Sequence, residues 1–333
     1  MFGRLLLRCS LLVFTLGTLN PGLAAPVSEL VRREFYVMGT TLALELDAAN
    51  RELGLLRLEA MIGIVEATES ELSTWSETSA LSRLNQQAVG VPLQTDASLC
   101  QLLSELDYWS DRTGRAFDPA VGALIDVWGL RAVPRVPGAQ ELESALRRTG
   151  LNLLGLDPTT CLAIRLGDVS LDAGAFGKGE ALDRVAAGAG RNAWMADFGG
   201  QIMVYAPPGS EAAWTVALAH PRVRDDAAVE VTLSEGSLAT SGGSERDTET
   251  PTGPVGHILD PRTGQALARS ESVVVWHREA LVADILSTAL YVMGVDAGLD
   301  WAESEGIAAC FLVPDGDEVR LRATAAFRER FQL

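Results

Sequence analysis

The sequence predicts an α+β fold in one large domain, with mixed sheets flanked by helices. Apolar residues recur at helical spacing early in the chain, at Leu55, Leu58 and Ile62. From Cys161 onward, short apolar runs are separated by Gly, Pro and Asp, which is typical of strands joined by turns. The two kinds of segment do not alternate regularly, and no glycine fingerprint opens a strand–helix unit, so a doubly wound dinucleotide-binding sheet is disfavoured.

Each predicted element follows from its own pattern of apolar residues. A partly alternating run predicts a strand over 34–47, and helical spacing predicts an amphipathic helix over 51–70. Further helices are expected at 99–113, 141–149 (ended by Gly150) and 279–293. Strands are expected at 162–171, 201–206, 214–219, 229–233 and 272–276. No internal repeat or low-complexity linker divides the chain, so these elements belong to one domain.

The first 24 residues have the features of a signal peptide. Arg4 and Arg8 precede a short apolar stretch, and Gly22–Ala24 offers the small residues of a cleavage site. A permanent membrane span needs roughly 20 apolar residues, more than this segment has, although an uncleaved anchor is the alternative. A lipid anchor on Cys9 is disfavoured by the arginine that precedes it. We therefore expect residues 1–24 to be a signal peptide, residues 25–333 to be the mature domain, and the protein to be periplasmic without a stable membrane anchor.

Charge and cysteine content narrow the possible partners. The formal net charge is −17, so bulk attraction to nucleic acid or to an anionic membrane is excluded. A polyanionic ligand would need local help from a cation, a lysine or backbone N–H groups. Cys100, Cys161 and Cys310 remain after cleavage and lack metal-ligand spacing. We expect three buried thiols, with one disulfide and a free thiol as the alternative.

The segment Ser170–Glu180 is the first candidate for binding chemistry. A strand is expected to end in Asp172, and a turn of small residues leads into a helix that begins near Lys178. Glycines let the backbone approach a ligand, and the first helical N–H groups attract anions. With the charge of Lys178, the segment could hold a pyrophosphate. An ordinary helix entry with an exposed lysine is the alternative.

Asp284 and Thr288 form a candidate metal site, because a spacing of four residues places both side chains on one face of a helix. A carboxylate and a hydroxyl, completed by a carbonyl and waters, suit Mg²⁺. A solvated helix face is the alternative reading. Apolar neighbours such as Ile285 and Leu286 indicate a buried helix instead, in which a carboxylate needs a partner.

His257 and Trp75 are the remaining candidates. His257 follows a hydroxyl-rich segment, Ala239–Ser244, which we expect to form a turn, and an imidazole can take a proton from a hydroxyl nucleophile. Trp75 could stack on a flat ring. The alternatives are a histidine that binds a loop carbonyl and a tryptophan that closes a loop over the core.

In combination, the motifs resemble the FAD:protein FMN transferase family, also called ApbE. The resemblance is collinear from about residue 35 to residue 315. It rests on Met38–Thr40, Leu72–Trp75, Ser79–Asn85, Ala116–Pro119, Leu124, Val127–Gly129, Leu171–Gly179, Asp197–Gly200, Ala239–Gly242, His257–Gly264 and Ala283–Ala289. The resemblance implies an ApbE-like fold, related to the T-fold.

The resemblance also implies a reaction and its residues. Members of the family cleave FAD with Mg²⁺ and attach the FMN half to a Thr or Ser of a partner protein, releasing AMP. The implied FAD-binding residues are Met38, Trp75, Ala116, Phe117, Asp118, Asp172, Lys178 and Leu259. The implied magnesium ligands are Asp284, Thr288, Ser287 and the backbone carbonyl of Ala175. His257 is the implied base and, with Asp284, the implied catalytic pair. The implied partners are exported acceptor flavoprotein subunits of redox complexes.

The sequence departs from the family pattern at two places, and other activities stay open. Family members often carry an aromatic residue after the Thr-Ser-Gly segment, where this chain has Gly243–Asp247. The turn Asp172–Gly174 replaces a more aliphatic version. Two alternatives to FMN transfer are an FAD pyrophosphatase that gives FMN and AMP, and a non-catalytic periplasmic protein that binds FAD.

Overall fold

The structure is a computed structural model that describes residues 28–223, 226–243, 247–250, 253–316 and 318–333. The predicted signal peptide, residues 1–24, lies outside the described residues. None of the helices in the described ranges combines the length and apolar character that a membrane span requires.

Seventeen strands and nine α-helices are formed by the described residues. The strands are β1 Glu29–Val37, β2 Thr40–Ala48, β3 Leu93–Gln94, β4 Leu154–Asp157, β5 Leu162–Arg165, β6 Trp194–Phe198, β7 Gln201–Tyr205, β8 Trp214–Ala219, β9 Ala227–Leu233, β10 Glu235–Gly242, β11 Thr248–Thr250, β12 Gly253–Val255, β13 Ile258–Leu259, β14 Ala266–Leu267, β15 Ser272–His277, β16 Ala308–Asp315 and β17 Glu318–Ala323. The helices are α1 Arg51–Leu72, α2 Ala80–Gln86, α3 Ala97–Arg112, α4 Gly122–Trp128, α5 Ala139–Leu146, α6 Gly177–Gly188, α7 Ala280–Met293, α8 Val295–Ser304 and α9 Ala325–Phe331.

The main sheet has the strand order β1-β2-β6-β7-β10-β15-β16-β17 among the described residues. Every neighbouring pair in it is antiparallel. The other described strands form smaller two- and three-stranded sheets, including the β13–β14 pair that follows His257. Helices cover the main sheet, so the α+β fold class expected from the sequence is confirmed.

Helices α1 and α6 pack on the β1, β2 and β6 part of the sheet. Asn50 begins α1 by accepting a hydrogen bond from the N–H of Leu53, at 2.9 Å. Beyond this cap, the apolar stripe predicted from the sequence faces the sheet, and Leu58 of α1 shares one core cluster with Leu44 of β2 and Leu182 of α6. This packing fixes the position of α6, whose first residues enter the candidate site.

Helix α7 lies in the interior of the domain. All of its 14 residues except Thr288 and Met293 are buried. One apolar side of the helix packs on β15, where Val282 and Leu286 share a core cluster with Val275. Because the helix is anchored on several sides, a polar residue on it is held in a fixed position.

Most predicted elements are confirmed within a few residues, but three predictions are wrong. The strand predicted over 34–47 is the β1–β2 hairpin, which turns at Met38 and Gly39, with φ of 50° and 75°. The strand predicted over 162–171 ends at Arg165, so Asp172 lies in a loop. Residues 239–242, expected to be a turn, belong to β10, because pairing with β15 extends this strand to Gly242.

The prediction of three buried thiols is also wrong. Cys100 near the start of α3 and Cys161 in the β4–β5 loop form a disulfide, with their Cα atoms 5.4 Å apart. Cys310 is a buried free thiol. The two bonded residues are 61 positions apart, and their proximity depends on how α3 packs beside β4. The spacing of the cysteines alone carries no signal of that packing.

Candidate active site

A cavity of about 810 Å³ opens where the β1–β2 turn and the first turns of α6 and α7 meet β10 and β13. Every site residue predicted from the sequence lines it except Ser287. The lining residues are Met38, Trp75, Ala116, Phe117, Asp118, Asp172, Ala175, Lys178, His257, Leu259, Asp284 and Thr288. Residues separated by up to 250 positions in the chain therefore surround one space.

Lys178 and Asp284 form the polar centre of this cavity. The Nζ of Lys178 lies 3.5 Å from Oδ1 of Asp284, and the backbone N–H of Gly179 donates to Oδ2 at 3.1 Å. Asp284 is 5% exposed, so these partners, rather than water, compensate the negative charge of its carboxylate. The lysine predicted to bind a pyrophosphate and the carboxylate predicted to bind a metal thus lie side by side.

Asp183 holds α6 and α7 together one turn away from this pair. Glu279, the residue before α7, provides no side-chain cap. Instead, the Asp183 carboxylate accepts hydrogen bonds from the N–H groups of Ala280 and Leu281, at 2.7 and 2.8 Å. Burial raises the pKa of Asp183 to about 7, although the two N–H groups act in the opposite direction. Asp183 was not identified from the sequence, because the segment that it caps is 97 residues away.

Helix α7 offers oxygen ligands to the cavity through Asp284 and Thr288, and the loop before α6 adds Ala175. In the described ranges, no group of three or more His, Cys, Asp or Glu side chains could hold a metal ion. A metal here would therefore rely on one carboxylate together with hydroxyl and carbonyl oxygens, a donor set that suits Mg²⁺ better than zinc or copper.

Ser287 is on the same helix but does not face this space. Its hydroxyl is fully buried, lies 2.9 Å from that of Ser241 on β10, and can donate to the carbonyl of Asp284 at 2.9 Å. Ser287 thus joins α7 to β10, and its position gives no support to the predicted role as a metal ligand.

His257 lines the cavity beside Asp247, which precedes β11. The Nδ1 of His257 and its backbone N–H both lie 3.3 Å from Oδ1 of Asp247. A carboxylate at Nδ1 favours the tautomer with the proton on Nδ1, which leaves the lone pair of Nε2 free to accept a proton. Asp247 was not identified from the sequence and lies in the segment that departs from the family pattern.

The carboxylate of Asp172 is already compensated within the protein. Arg131 donates to its Oδ2 at 2.6 Å, and the hydroxyl of Thr74 donates to the same atom at 3.1 Å. The guanidinium of Arg131 also lies 6.0 Å from the ring centre of Trp75, which is 76% exposed. These four residues form one side of the cavity, and Trp75 presents a free aromatic face there.

The carboxylate of Asp118 is directed into the protein. It accepts hydrogen bonds from Arg115 at 3.1 Å and from the N–H groups of Ala120 and Leu151, at 2.9 and 3.1 Å. Its side chain therefore shapes the loop that contains Ala116 and Phe117, which are themselves almost fully buried. This part of the cavity wall presents backbone and apolar surface to a ligand.

Several lining residues were not singled out from the sequence. Glu69 accepts a hydrogen bond from the N–H of Met38 at 2.8 Å and so fixes the β1–β2 turn. Arg131 and His220 also lie in the wall. Neither belongs to a recognisable motif, although the chain has only three histidines, which could have drawn attention to His220.

Comparison with known proteins gives a consistent result. The family model described as the ApbE family matches residues 38–311. An FAD:protein FMN transferase from Treponema pallidum is 31% identical over 300 residues, covering 83% of this chain and 81% of that protein. One from Vibrio cholerae is 28% identical over 274 residues, covering 80% and 81%.

A solved structure agrees with the sequence relatives. The flavinyl transferase ApbE of Pseudomonas stutzeri, in its apo form, superposes with a TM-score of 0.79 at 26% identity, covering 92% of this chain and 98% of that one. The residues matched by the family model, 38–311, include every residue that lines the cavity, from Met38 to Thr288. The chain therefore belongs to the ApbE family.

Proposed function

We propose that this protein is an FAD:protein FMN transferase, which transfers the FMN half of FAD to a Thr or Ser hydroxyl of a partner protein and releases AMP. The observation that carries the proposal is the joint presence of Lys178, Asp284 and His257 in one cavity of a chain from this family. The relatives compared above are named FAD:protein FMN transferases, which supports the transfer of FMN to a protein.

In the proposed reaction, the acceptor hydroxyl oxygen bonds to the phosphorus of the FMN half. The bond from that phosphorus to the bridging oxygen breaks, and AMP leaves with the bridging oxygen. His257 takes the hydroxyl proton on Nε2, because Asp247 holds the proton of the other ring nitrogen. Lys178 stabilises negative charge on the diphosphate.

Mg²⁺ is part of this proposal. Asp284 and Thr288, with the carbonyl of Ala175, are the oxygen donors that would hold it. When bound, the ion supplies charge neutralisation and polarises the phosphoryl oxygens. In the part of the chain that the structure describes, the buried carboxylate of Asp284 is contacted by one lysine and one N–H group, so it retains lone pairs for a cation.

We further propose that the mature protein works in the periplasm on exported flavoprotein subunits of redox complexes. The Cys100–Cys161 disulfide supports an oxidising compartment. The signal-peptide pattern of residues 1–24 points the same way.

Mass spectrometry of an acceptor tests the function. Purified protein, FAD and Mg²⁺ are incubated with and without a threonine-bearing acceptor protein. We expect the acceptor to gain the mass of one FMN, and Asp284→Ala to abolish the gain. AMP release without an acceptor adduct would make the protein an FAD pyrophosphatase, and bound FAD without either product would make it a flavin-binding protein. Either result would overturn the proposal.

A further inference from the structure

Two histidines line the cavity, and the proposed reaction uses one of them. His257 is the proposed base, whereas His220, at the end of β8, has no role so far. The third histidine of the chain, His277, lines a different cleft. The hydrogen bonds around each imidazole determine what its free nitrogen can do.

The Nδ1 of His220 is occupied by its own turn. The backbone N–H groups of Arg222 and Val223 donate to it at 3.0 and 3.1 Å. A nitrogen that accepts these bonds cannot carry a proton, so the proton of the neutral ring is on Nε2. Whatever His220 does towards a ligand in the cavity, it does as a hydrogen-bond donor.

His257 has the opposite arrangement. Its Nδ1 faces the Asp247 carboxylate at 3.3 Å and carries the proton, so its Nε2 is an acceptor. The two rings therefore offer the cavity one N–H donor and one lone pair. The two histidines are not interchangeable, and His220 is not a second base.

The charges of the cavity wall indicate what such a donor would bind. Among the described residues, the carboxylates of Glu69, Asp172 and Asp284 contribute to the wall, whereas that of Asp118 is directed into the protein. In the same described part of the chain, the wall has two permanent cations, Lys178 and Arg131, and each is paired with one of these carboxylates. A negatively charged dinucleotide in this space would be stabilised by a further N–H donor that is not already neutralised by an acid.

We propose that His220 is a substrate-binding residue that donates its Nε2–H to an oxygen acceptor of the dinucleotide, either a phosphate oxygen or a carbonyl oxygen of a ring. The identity of the ligand rests on the proposed function. The assignment of His220 as the donor of the hydrogen bond rests only on the turn at residues 220–223.

Two amide substitutions distinguish the roles of the two ring nitrogens of His220. His220→Asn places an oxygen near Nδ1, so it keeps the acceptor for Arg222 and Val223 but loses the donor at Nε2. His220→Gln places an amide N–H near Nε2, so it keeps the donor. The dissociation constant for FAD is measured by quenching of flavin fluorescence. We expect Asn to raise it by roughly 10-fold or more if the acceptor is a charged phosphate oxygen, and by roughly 3- to 10-fold if it is a neutral ring carbonyl. We expect Gln to raise it by less than about 3-fold.

The control is His257→Asn, which should lower the transfer rate and leave FAD affinity within about 2-fold of the wild type. Titration with FMN and with ADP then shows which half of FAD loses affinity in His220→Asn. The donor assignment is overturned if Asn and Gln both bind FAD like the wild type, if both lose affinity equally, or if Gln loses more than Asn. Failure of the proposed function would instead appear in the wild type, as FAD binding without transfer.

Discussion

Gly179 is the position where a single added methyl group should lower both the stability of the fold and the transfer rate. Its N–H donates to Asp284, and its Cα faces the start of α7. A Cβ at this position would lie 2.5 Å from the carbonyl oxygen of Ala280 and 2.7 Å from the Cα of Leu281. These are backbone atoms, so they cannot move away as a flexible side chain could.

The size of the effect follows from these distances. Ordinary contact begins at 3.4 Å, so α6 and α7 must separate locally by up to 0.9 Å in Gly179→Ala. Overpacking of this kind costs about 1–3 kcal/mol, and weakening of the bond to Asp284 adds to it. The better helix propensity of alanine returns up to about 1 kcal/mol. We therefore expect a loss of about 1–3 kcal/mol in the free energy of unfolding, and a roughly 100-fold loss of transfer rate from misplacement of Asp284.

Gly63→Ala is the matched control, since Gly63 lies inside α1 and a Cβ there would meet nothing within 4 Å. Alanine should stabilise this helix by about 0.5–1 kcal/mol and leave the transfer rate unchanged. Urea denaturation gives the free energies of unfolding, and mass spectrometry of the acceptor gives the rates. If Gly179→Ala were as stable and active as Gly63→Ala, the close packing of α6 on α7 would not be what positions Asp284.

Three further predictions address other parts of the structure. Because burial raises the pKa of Asp183 from 3.8 to about 7, the folded state keeps a proton that the unfolded state releases, so the contribution of Asp183 to stability falls as pH rises between these two values. The melting temperature of the wild type, measured relative to that of Asp183→Asn, should therefore fall between about pH 5 and pH 8. Melting temperatures of the two proteins that differ by the same amount at every pH would contradict this. Cys100→Ser should lower the free energy of unfolding under oxidising conditions by about 4 kcal/mol, the value for a loop of 61 residues, and urea midpoints that are equal for the two proteins under oxidising conditions would refute it. Trp75→Ala should weaken FAD binding, measured by quenching of flavin fluorescence, by about 1–3 kcal/mol if the exposed ring stacks on the ligand. The control is Tyr36→Ala, because Tyr36 is an aromatic residue that is 72% exposed and lies outside the cavity wall; it should leave FAD binding in the same assay unchanged.

The sequence predicted best those features that depend on local spacing. The helical face of Leu58 and Ile62, the buried helix around Asp284 and the helix that starts near Lys178 all follow from residues close together in the chain. The ordered motifs of the family also predicted which of these segments meet. They could not predict the roles of Asp183 and Asp247, because neither residue belongs to one of these motifs.

Features of the turns were missed for a different physical reason. Met38 adopts a φ of 50°, a conformation that non-glycine residues rarely take. The apolar and β-branched residues of the segment 34–47 give no signal that predicts it. The turn is held by Glu69, whose carboxylate accepts from the N–H of Met38. Its geometry therefore depends on how α1 packs beneath the hairpin, which only the tertiary structure specifies.

The charge balance of the cavity determines what must accompany FAD when it binds. On a chain with a net charge of −17, the basic side chains of the wall that the structure describes, Lys178 and Arg131, are each paired with an acid. A diphosphate that displaced Asp284 from Lys178 would gain a cation but leave a buried carboxylate without its partner, at a cost of several kcal/mol. A divalent cation held by Asp284 would remove this conflict, because it would take the place of Lys178 as the partner of the carboxylate and leave the lysine available to the phosphate. We therefore expect FAD affinity to depend on Mg²⁺ in the wild type and to depend on it much less in Asp284→Asn, which no longer carries the charge. An equal dependence on Mg²⁺ in both proteins would show that the cation binds elsewhere.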